Sequence, residues 1–285
     1  MVATHRVGFT AGSRYQGGEG EGKATFIFSD GEQYEGSWKD NRFSGHGKVR
    51  FSKAGGDLFS DCSYEGEWTA KLEDEARRKA GLQEGVKALQ HGKGKMTWAS
   101  GSVYEGEWKE GLQHGQGVYS LRAAAGDINV YEGDWEEGQK HGRGKYTIVK
   151  RNAVLEQYDG EWKENRRHGK GMCSYGGPIN SNRKVAGVKA DLLIGIGKGD
   201  LEVGTYSEGY RVGEGVRWSK DRTQAWKLQA GRELKDAKGN YLPPIELAEA
   251  AAFAEKMGFP DPAAAKEEEA ETGDAQQLQQ TKGFD

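Results

Sequence analysis

The stretch Tyr104–Gly117 reads Tyr-Glu-Gly-Glu-Trp-Lys-Glu-Gly-Leu-Gln-His-Gly-Gln-Gly, and close copies of it recur along roughly the first two thirds of the chain. The other copies begin at Tyr34, Tyr64, Tyr131 and Tyr158. Each copy includes a His-Gly pair, and in chain order these pairs begin at His46, His91, His114, His141 and His168. A unit that recurs in this way is typical of proteins that stack one small structural element on the next.

Within one copy the residue types alternate as they do along a β-strand. Tyr104, Gly106 and Trp108 occupy every second position, so on an extended chain they share one face of the strand. Glu105 and Glu107 then share the other face. The same alternation resumes after the turn, so each copy is predicted to form a β-hairpin. A glycine in mid-strand is normally unfavourable, and here it indicates that a ring on the neighbouring strand lies across the backbone.

The polar face of the predicted hairpins carries charges of opposite sign on neighbouring strands. Glu105 and Glu107 belong to a first strand, whereas Lys93 and Lys95 belong to a second strand. Cross-strand ion pairs between such residues stabilise a sheet by only about 0.2–1 kcal/mol each. We therefore expect a solvated ladder of charges that helps to set the register of the strands.

Four recurring residue types are assigned a structural role in the repeat, namely tyrosine, glycine, tryptophan and histidine. They are Tyr34, Gly36, Trp38 and His46; Tyr64, Gly66, Trp68 and His91; Tyr104, Gly106, Trp108 and His114; Tyr131, Gly133, Trp135 and His141; and Tyr158, Gly160, Trp162 and His168.

The pattern Tyr-x-Gly-x-Trp-x-x-Gly-x-x-His-Gly-x-Gly resembles the membrane occupation and recognition nexus repeat, called MORN. The resemblance covers Tyr15–Trp218, with five good copies and degraded end copies at Tyr15 and at Tyr206–Gly215. It implies an all-β fold, an elongated single-sheet meander of tandem hairpins. The family includes scaffolds, lipid-associated proteins and modules appended to enzymes, so the resemblance indicates a fold more securely than an activity.

The composition fits such an array better than it fits a globular enzyme. The 285 residues include 45 glycines and are 35% hydrophobic and 30% charged, and repeat arrays need no single deep core. Cys62 and Cys173 cannot make a disulfide framework, and neither a signal peptide nor an apolar run of about 18 residues is found. We therefore expect a soluble protein of a reducing compartment.

Charge is distributed unevenly along the chain. Residues 261–285 contain seven acidic residues and two lysines, so they contribute −5 to a total of −3 and leave +2 for the rest. An almost neutral body does not support nucleic-acid binding.

The order of the predicted regions follows from where the repeat is interrupted. Residues 1–14 are predicted to be a flexible or partner-bound arm, and residues 15–218 the array, with a helical insert near 70–90 and an irregular insert near 176–204. Residues 219–260 are predicted to form a terminal strand and a capping helix, and residues 261–285 an acidic disordered tail. The helical insert, Leu72–Leu82, is either a loop decoration or a docking element.

The capping helix is predicted over Ile245–Met257. Prolines precede it and Gly258 follows it, which is the usual asymmetry of helix ends. Ile245, Ala248, Ala252 and Met257 are expected to pack against the open end of the sheet.

A single sheet has one apolar face to cover, and the chain offers little besides the insert and the helix to cover it. Part of the aromatic face, represented by Tyr34, Trp38, Tyr131 and Trp135, is therefore expected to stay exposed and to bind partners.

The chemistry-bearing residues do not indicate an active site. Histidines replicated once per hairpin are expected to make structural hydrogen bonds rather than to converge on a metal. Gly195, Gly197 and Gly199 stand beside a lysine, but a phosphate loop requires a helix directly after it and a strand is predicted there instead. No enzyme activity, cofactor or metal is expected.

Three functions remain open. The first is a structural scaffold of a cytoskeletal assembly, bound to other proteins of the axoneme of a cilium or flagellum, as the resemblance to stand-alone MORN proteins implies. The second is a scaffold associated with phosphoinositides or membranes, which predicts a basic surface, whereas the chain has only the small clusters Arg77–Lys79 and Arg166–His168. The third is a nucleotide-binding enzyme that uses the glycine-rich segment.

Overall fold

The structure, a computed structural model, describes residues 5–6, 14–17, 21–28, 31–39, 42–51, 61–69, 86–122, 127–150, 153–176 and 199–264. Two compact units are present, Met1–Gly142 and Arg143–Asp285. Both are built mainly of antiparallel β-hairpins, and strand β11 (Gln139–Lys150) begins in the first unit and ends in the second.

The first unit contains ten complete strands among its described residues. They are β1 (His5–Arg6), β2 (Arg14–Gly17), β3 (Glu21–Ile27), β4 (Gln33–Lys39), β5 (Arg42–Arg50), β6 (Ser63–Thr69), β7 (Val86–Thr97), β8 (Val103–Lys109), β9 (Leu112–Arg122) and β10 (Ile128–Glu136). From β2 to β10 each strand pairs with the next one along the chain. β1 departs from this order, because His5 pairs with Ala88 at the start of β7.

The second unit is also a meander of antiparallel strands, and it includes a helix. Its elements are β12 (Ala153–Lys163), β13 (Arg166–Tyr175), β14 (Leu201–Ser207), β15 (Tyr210–Trp218), β16 (Ala225–Gln229), β17 (Arg232–Glu233) and α1 (Leu247–Met257). The strands from β12 to β17 again pair in sequence order. The predicted fold class is thus confirmed as mostly β, with tandem antiparallel hairpins and a helix near the C terminus.

Several predicted regions lie partly or wholly outside the residues that the structure describes. The predicted insert helix Leu72–Leu82 lies outside them, and the end of that insert, Val86–Gln90, is the first part of strand β7 instead. Residues 177–198 of the irregular insert also lie outside, whereas Leu201–Gly204 already belongs to β14. The acidic tail beyond residue 264 is likewise outside.

Each repeat hairpin is centred on a pair of glycines. Gly106 faces Gly117 across β8 and β9, and Gly66 faces Gly94 across β6 and β7. Directly after each pair the register shifts by two residues, because the second strand carries two extra residues at a bulge. The bulge contains a glycine with positive φ, such as Gly115 at 54°, a conformation that L side chains rarely adopt.

Helix α1 begins two residues later than predicted because the backbone N–H of Ile245 donates to the carbonyl oxygen of Ala225 at 2.8 Å. It ends at Gly258, whose φ of 85° is that of a left-handed cap, as predicted. The predicted packing face was wrong in part, because Ala248 and Ala252 are exposed. The buried helical residues are Ala250, Ala254 and Met257. No helix among the described residues is long and apolar enough to cross a membrane.

The helix packs on the face of the sheet that is charged in the other hairpins. Val203 lies opposite Met172, and Met172 lies opposite Asp159, which occupies the repeat position of Glu105. At this end of the meander that face is apolar, so α1 covers it. The resulting core comprises Leu201, Val203, Val216, Trp218, Ala225, Ala250, Ala254, Met257 and Phe259.

Candidate functional site

The tyrosine of each repeat lies across the glycine of the paired strand. The hydroxyl of Tyr104 donates to the carbonyl oxygen of Glu107 at 2.8 Å, and the ring leaves no room for a Cβ at Gly117. Tyr64 has the same relation to the carbonyl of Glu67, at 2.9 Å. Burial raises the pKa of Tyr104 above its ordinary value. These hydroxyls therefore serve as structural hydrogen-bond donors.

The tryptophan of each repeat connects its hairpin to the preceding one. The indole N–H of Trp108 donates to the carbonyl oxygen of Gly94 at 3.0 Å, and that of Trp68 donates to Gly47 at 3.1 Å. The Trp108 ring meets the rings of Tyr64 and Tyr104 edge to face, with centroids 5.4 and 5.1 Å apart. Such pairs stabilise beyond their buried area.

This mutual packing overturns the expectation of an open aromatic face. Tyr34 and Tyr131 are 0% exposed, and Trp38 and Trp135 are only 5% and 6% exposed. The rings lie against glycine backbone and against one another, so they bury themselves without a covering layer. The aromatic face around these four residues therefore exposes almost no ring surface.

One position on the aromatic face varies from copy to copy. In the first copy Phe43 stacks on Tyr34, with ring centroids 3.7 Å apart. In the fifth copy the same position holds Arg167, whose guanidinium lies 4.7 Å from the centroid of the Tyr158 ring. An apolar contact is thus exchanged for a cation–π contact at one point of the repeat.

The repeated carboxylates separate into two sets with different roles. Glu107 lies over Gly115, and its Oε1 accepts the backbone N–H of Gln116 at 3.3 Å. Glu67 does the same for the N–H of Lys93 at 2.9 Å. These carboxylates are exposed, as the predicted solvated ladder requires, but they also hydrogen-bond the backbone of the bulge, a role that the prediction did not include.

Four of the five repeated histidines oppose or adjoin the carboxylate of their own copy. His114 pairs with Glu107 and His91 pairs with Glu67. His46 lies two residues later in its copy than the other histidines do. It directly precedes Gly47, the paired glycine of its strand, whereas His91 lies three residues before the paired glycine Gly94. The residue three positions before Gly47 is Ser44, so Ser44 and not His46 takes the histidine position of the first copy.

The histidines contribute to the repeat mainly through their backbone. The hydroxyl of Tyr131 lies 3.3 Å from the carbonyl oxygen of His141, and Tyr104 relates in the same way to His114 at 3.4 Å. The imidazole Nδ1 of His141 lies 3.2 Å from a carboxylate oxygen of Glu136. Within the described ranges, no three residues of the types His, Cys, Asp and Glu are placed to hold a metal ion.

The second set of carboxylates alternates with lysines across the strands of the first unit. Lys48 pairs with Glu65 at 2.8 Å, and Lys95 pairs with Glu105 at 3.1 Å. Hydrogen bonding from Lys48 lowers the pKa of the Glu65 carboxyl. Glu35 continues the row beside Lys48. Signs therefore alternate from one strand to the next along this face, which we call the charged ladder.

Two shallow grooves lie along the charged ladder, both within the first unit. One has a volume of about 420 Å³ and is lined by Lys23, Glu35 and Lys48 among others. The other has a volume of about 700 Å³ and is lined by Lys95 and Glu107 among others. His46 and Glu65 line both grooves, so the two grooves adjoin, and their lining includes charges of both signs.

A buried ion network in the second unit was not found by sequence reasoning. The paired glycines Gly204 and Gly215 place Glu202 at the position that tyrosine occupies in the other copies. Glu202 is 2% exposed, and its carboxylate contacts Arg217 Nε at 2.7 Å and Arg211 Nη2 at 2.5 Å. If this copy had been aligned with the others on its glycine pair rather than on Tyr206, the sequence would have placed Glu202 at the buried tyrosine position.

The network extends along the aromatic face and is deeply desolvated. Burial raises the pKa of Glu202 to about 7 and lowers the pKa of Arg211 to about 10. Beside it, Arg167 Nη2 contacts the buried carboxylate of Glu156 at 2.5 Å. Burial also raises the pKa of the Cys173 thiol, so Cys173 is held in its unreactive protonated form.

The glycine-rich segment does not have the context of a phosphate loop. Gly195 and Gly197 lie outside the described residues, but Gly199 leads directly into strand β14 rather than into a helix. The predicted strand after this segment is confirmed. The chain thus lacks the helix N-terminus that would receive a nucleotide phosphate at this point.

Comparison with protein families finds the MORN repeat in six segments. They cover residues 34–53, 87–103, 104–122, 131–152, 158–177 and 203–224. The last of them begins directly after Glu202, which stands at the tyrosine position of that copy. No curated protein matches the chain. The repeats support a role in interaction or scaffolding, which is the general role of MORN repeats.

Proposed function

We propose that this MORN-repeat chain is a non-enzymatic scaffold that binds other proteins of a cytoskeletal assembly, and that the assembly is the axoneme of a cilium or flagellum, at its radial spokes or microtubules. Support for this setting comes from the resemblance of the repeats to stand-alone MORN proteins of axonemes. Support for a protein partner comes from the charged ladder of the first unit.

The alternation of signs on the charged ladder is the observation that carries the proposal. An anionic membrane attracts clusters of Lys and Arg, at about 1 kcal/mol per residue. Here Lys48 and Lys95 each have a glutamate beside them on the next strand. A surface of this kind is complementary to a protein segment that itself carries both signs, and complementarity of that type confers specificity more than affinity.

The second unit suggests what kind of segment would fit. There the corresponding face of the sheet is occupied by helix α1 of the chain itself, with Ala250 and Ala254 against the strands. The flanks of α1 are polar, since Lys170 Nζ donates to the carbonyl oxygen of Lys256 at 3.1 Å and Lys227 pairs with Glu249 at 2.6 Å. We infer that a helical segment of a partner protein occupies the grooves of the first unit.

A charge swap tests this inference without loss of the internal ion pairs. The variant Glu35→Gln/Lys48→Glu/Glu65→Lys/Lys95→Glu/Glu105→Lys keeps both pairs but inverts their order, and the glutamine at position 35 avoids a like-charge contact with position 48. We expect it to melt near the parent and to cosediment far less with demembranated axonemes. Lys109→Glu changes an exposed lysine that lines neither groove and serves as the control.

Two outcomes would contradict the proposal. Undiminished cosedimentation of the charge-swapped variant would show that the charged ladder is not the binding surface. Pelleting of the wild-type chain with phosphoinositide vesicles but not with axonemes would favour the membrane-associated alternative instead.

A further inference from the structure

The segment that joins β17 to α1 exposes more large apolar side chains than any other stretch of similar length among the described residues. Tyr241 is 60% exposed, Leu242 is 41% exposed and Leu247 is 37% exposed. Pro243 and Pro244, between them, are also exposed. Contiguous apolar surface of this kind marks sites of protein interaction.

This segment is extended and anchored at both ends. The backbone N–H of Leu242 donates to the carbonyl oxygen of Leu234 at 2.9 Å, and that of Ile245 donates to Ala225 at 2.8 Å. Between these anchors the proline rings hold φ near −65°, and a residue before proline is excluded from helical geometry. Glu246 has φ −59° and ψ 138°, values of a polyproline II helix.

The arrangement of side chains follows from the three-residue turn of polyproline II. In such a helix Tyr241 and Pro244 would share one edge, and Leu242 and Ile245 would share another. Ile245 is half-buried and lines a cleft of about 320 Å³ between α1 and the strands, so its edge faces the protein. The Tyr241 edge faces outward, with Lys235 Nζ 4.3 Å from the centre of the tyrosine ring.

The backbone of the segment is also available to a partner. Proline has no N–H, and no described residue donates a hydrogen bond to the carbonyl oxygens of Pro243 and Pro244. Two acceptors are thus presented beside apolar rings. Because the anchors hold this conformation in the free protein, binding costs little conformational entropy.

We propose that Tyr241–Glu246 is a docking segment for a protein domain whose groove is lined by aromatic side chains and binds polyproline II peptides. Such domains bind an extended, proline-containing segment. Their apolar pockets receive its side chains, and their donors form hydrogen bonds with its carbonyl groups. The ridge of Tyr241, Pro243 and Pro244 supplies both. The docking segment lies in the second unit and is independent of the charged ladder.

The test is a titration of the full chain against purified SH3, WW and EVH1 domains, which represent this class of groove. We expect at least one class to bind, and Pro243→Ala/Pro244→Ala to raise the dissociation constant about tenfold or more. Tyr241→Ser should weaken the same complex. Pro260→Ala, at an exposed proline beyond the docking segment, should leave it unchanged.

Circular dichroism and melting of each variant separate loss of binding from loss of the fold. The charge-swapped variant of the first unit should bind the same domain as the wild type, so failure of the scaffold proposal and failure of this one are distinguishable. The inference is overturned if no domain class binds, or if the folded double proline variant binds as tightly as the wild type.

Discussion

The indole N–H of Trp108 donates to the carbonyl oxygen of Gly94 at 3.0 Å and so joins two successive hairpins. Gly94 itself lies beneath the ring of Tyr64 of its own hairpin. Trp135 and Gly117 repeat the relation at 3.2 Å. Each copy is therefore completed by its neighbour, which is the nearest-neighbour stabilisation expected of a repeat array.

Replacing Trp108 tests this connection. Trp108→Ala removes a buried ring and should lower the free energy of unfolding by about 3–5 kcal/mol. Trp108→Phe keeps much of the ring but loses the hydrogen bond to Gly94, so its cost should be smaller, with about 1 kcal/mol from the missing bond. Chemical denaturation measures both. A melting temperature for Trp108→Ala within about a degree of the parent would refute the packing described.

Glycines at the same repeat position should respond differently to substitution. A Cβ at Gly106 overlaps the backbone of Gly117, so Gly106→Ala should be strongly destabilising. At Gly204 the nearest atoms, in the backbone of Glu214 and Gly215, are 3.6 Å from such a Cβ, and Glu202 stands at the tyrosine position. Gly204→Ala should therefore melt close to the wild type. Thermal melts of the pair compare them directly, and equal losses would count against the role of the tyrosine.

Neighbouring glutamates of one strand should also differ. Glu107 accepts a backbone N–H across the bulge, so Glu107→Ala should cost about 1 kcal/mol. Glu105 makes an exposed ion pair with Lys95, and such pairs contribute about 0–1 kcal/mol. Raising the salt concentration should reduce the effect of Glu105→Ala more than that of Glu107→Ala. Identical salt dependence of the two variants would argue against two distinct sets of carboxylates.

The buried carboxylate of Glu202 should make stability depend on pH. Its pKa in the folded state is raised to about 7 by burial, so the folded state retains a proton that the unfolded state releases at lower pH. Stability from this group is present below the unfolded pKa and is lost as pH rises through about 7. Denaturation at pH 5 and pH 7.5 should show this loss.

Two variants at the network provide the comparison. Glu202→Gln should be less sensitive to pH over this interval, although it leaves Arg211 and Arg217 without a buried anionic partner and should be less stable overall. Glu233→Gln changes a less buried partner of Arg217 and should keep the pH dependence. An unchanged pH dependence in Glu202→Gln would assign it to another group.

The corrected face of helix α1 gives a further test. Ala254→Glu places a charge in the apolar core and should destabilise the second unit, because a buried unpaired charge is costly. Ala248→Glu, on the exposed side, should change the melting temperature little. If both variants melt alike, the helix does not pack as described. Light scattering should show aggregation of Ala254→Glu first, since it uncovers Val203 and Val216.

The strand content and the hairpins could be predicted from the sequence because they are local. The alternation of Tyr104, Gly106 and Trp108 has the period of a strand, and it can bury its rings only in extended chain. The end of helix α1 could also be predicted from the sequence, since Gly258 is suited to a left-handed cap. These features depend on neighbours within a few residues, so the sequence alone determines them.

Only the tertiary structure decided which face stays open and which charges are buried. A bulge after the glycine pair shifts the register by two residues, so Glu107 lies over the bulge whereas Glu105 continues the row of cross-strand ion pairs. Glu202 is buried because tandem stacking carries its position onto the aromatic face. Such relations depend on how strands distant in sequence pair across a sheet, and residue spacing within one copy contains no information about that pairing.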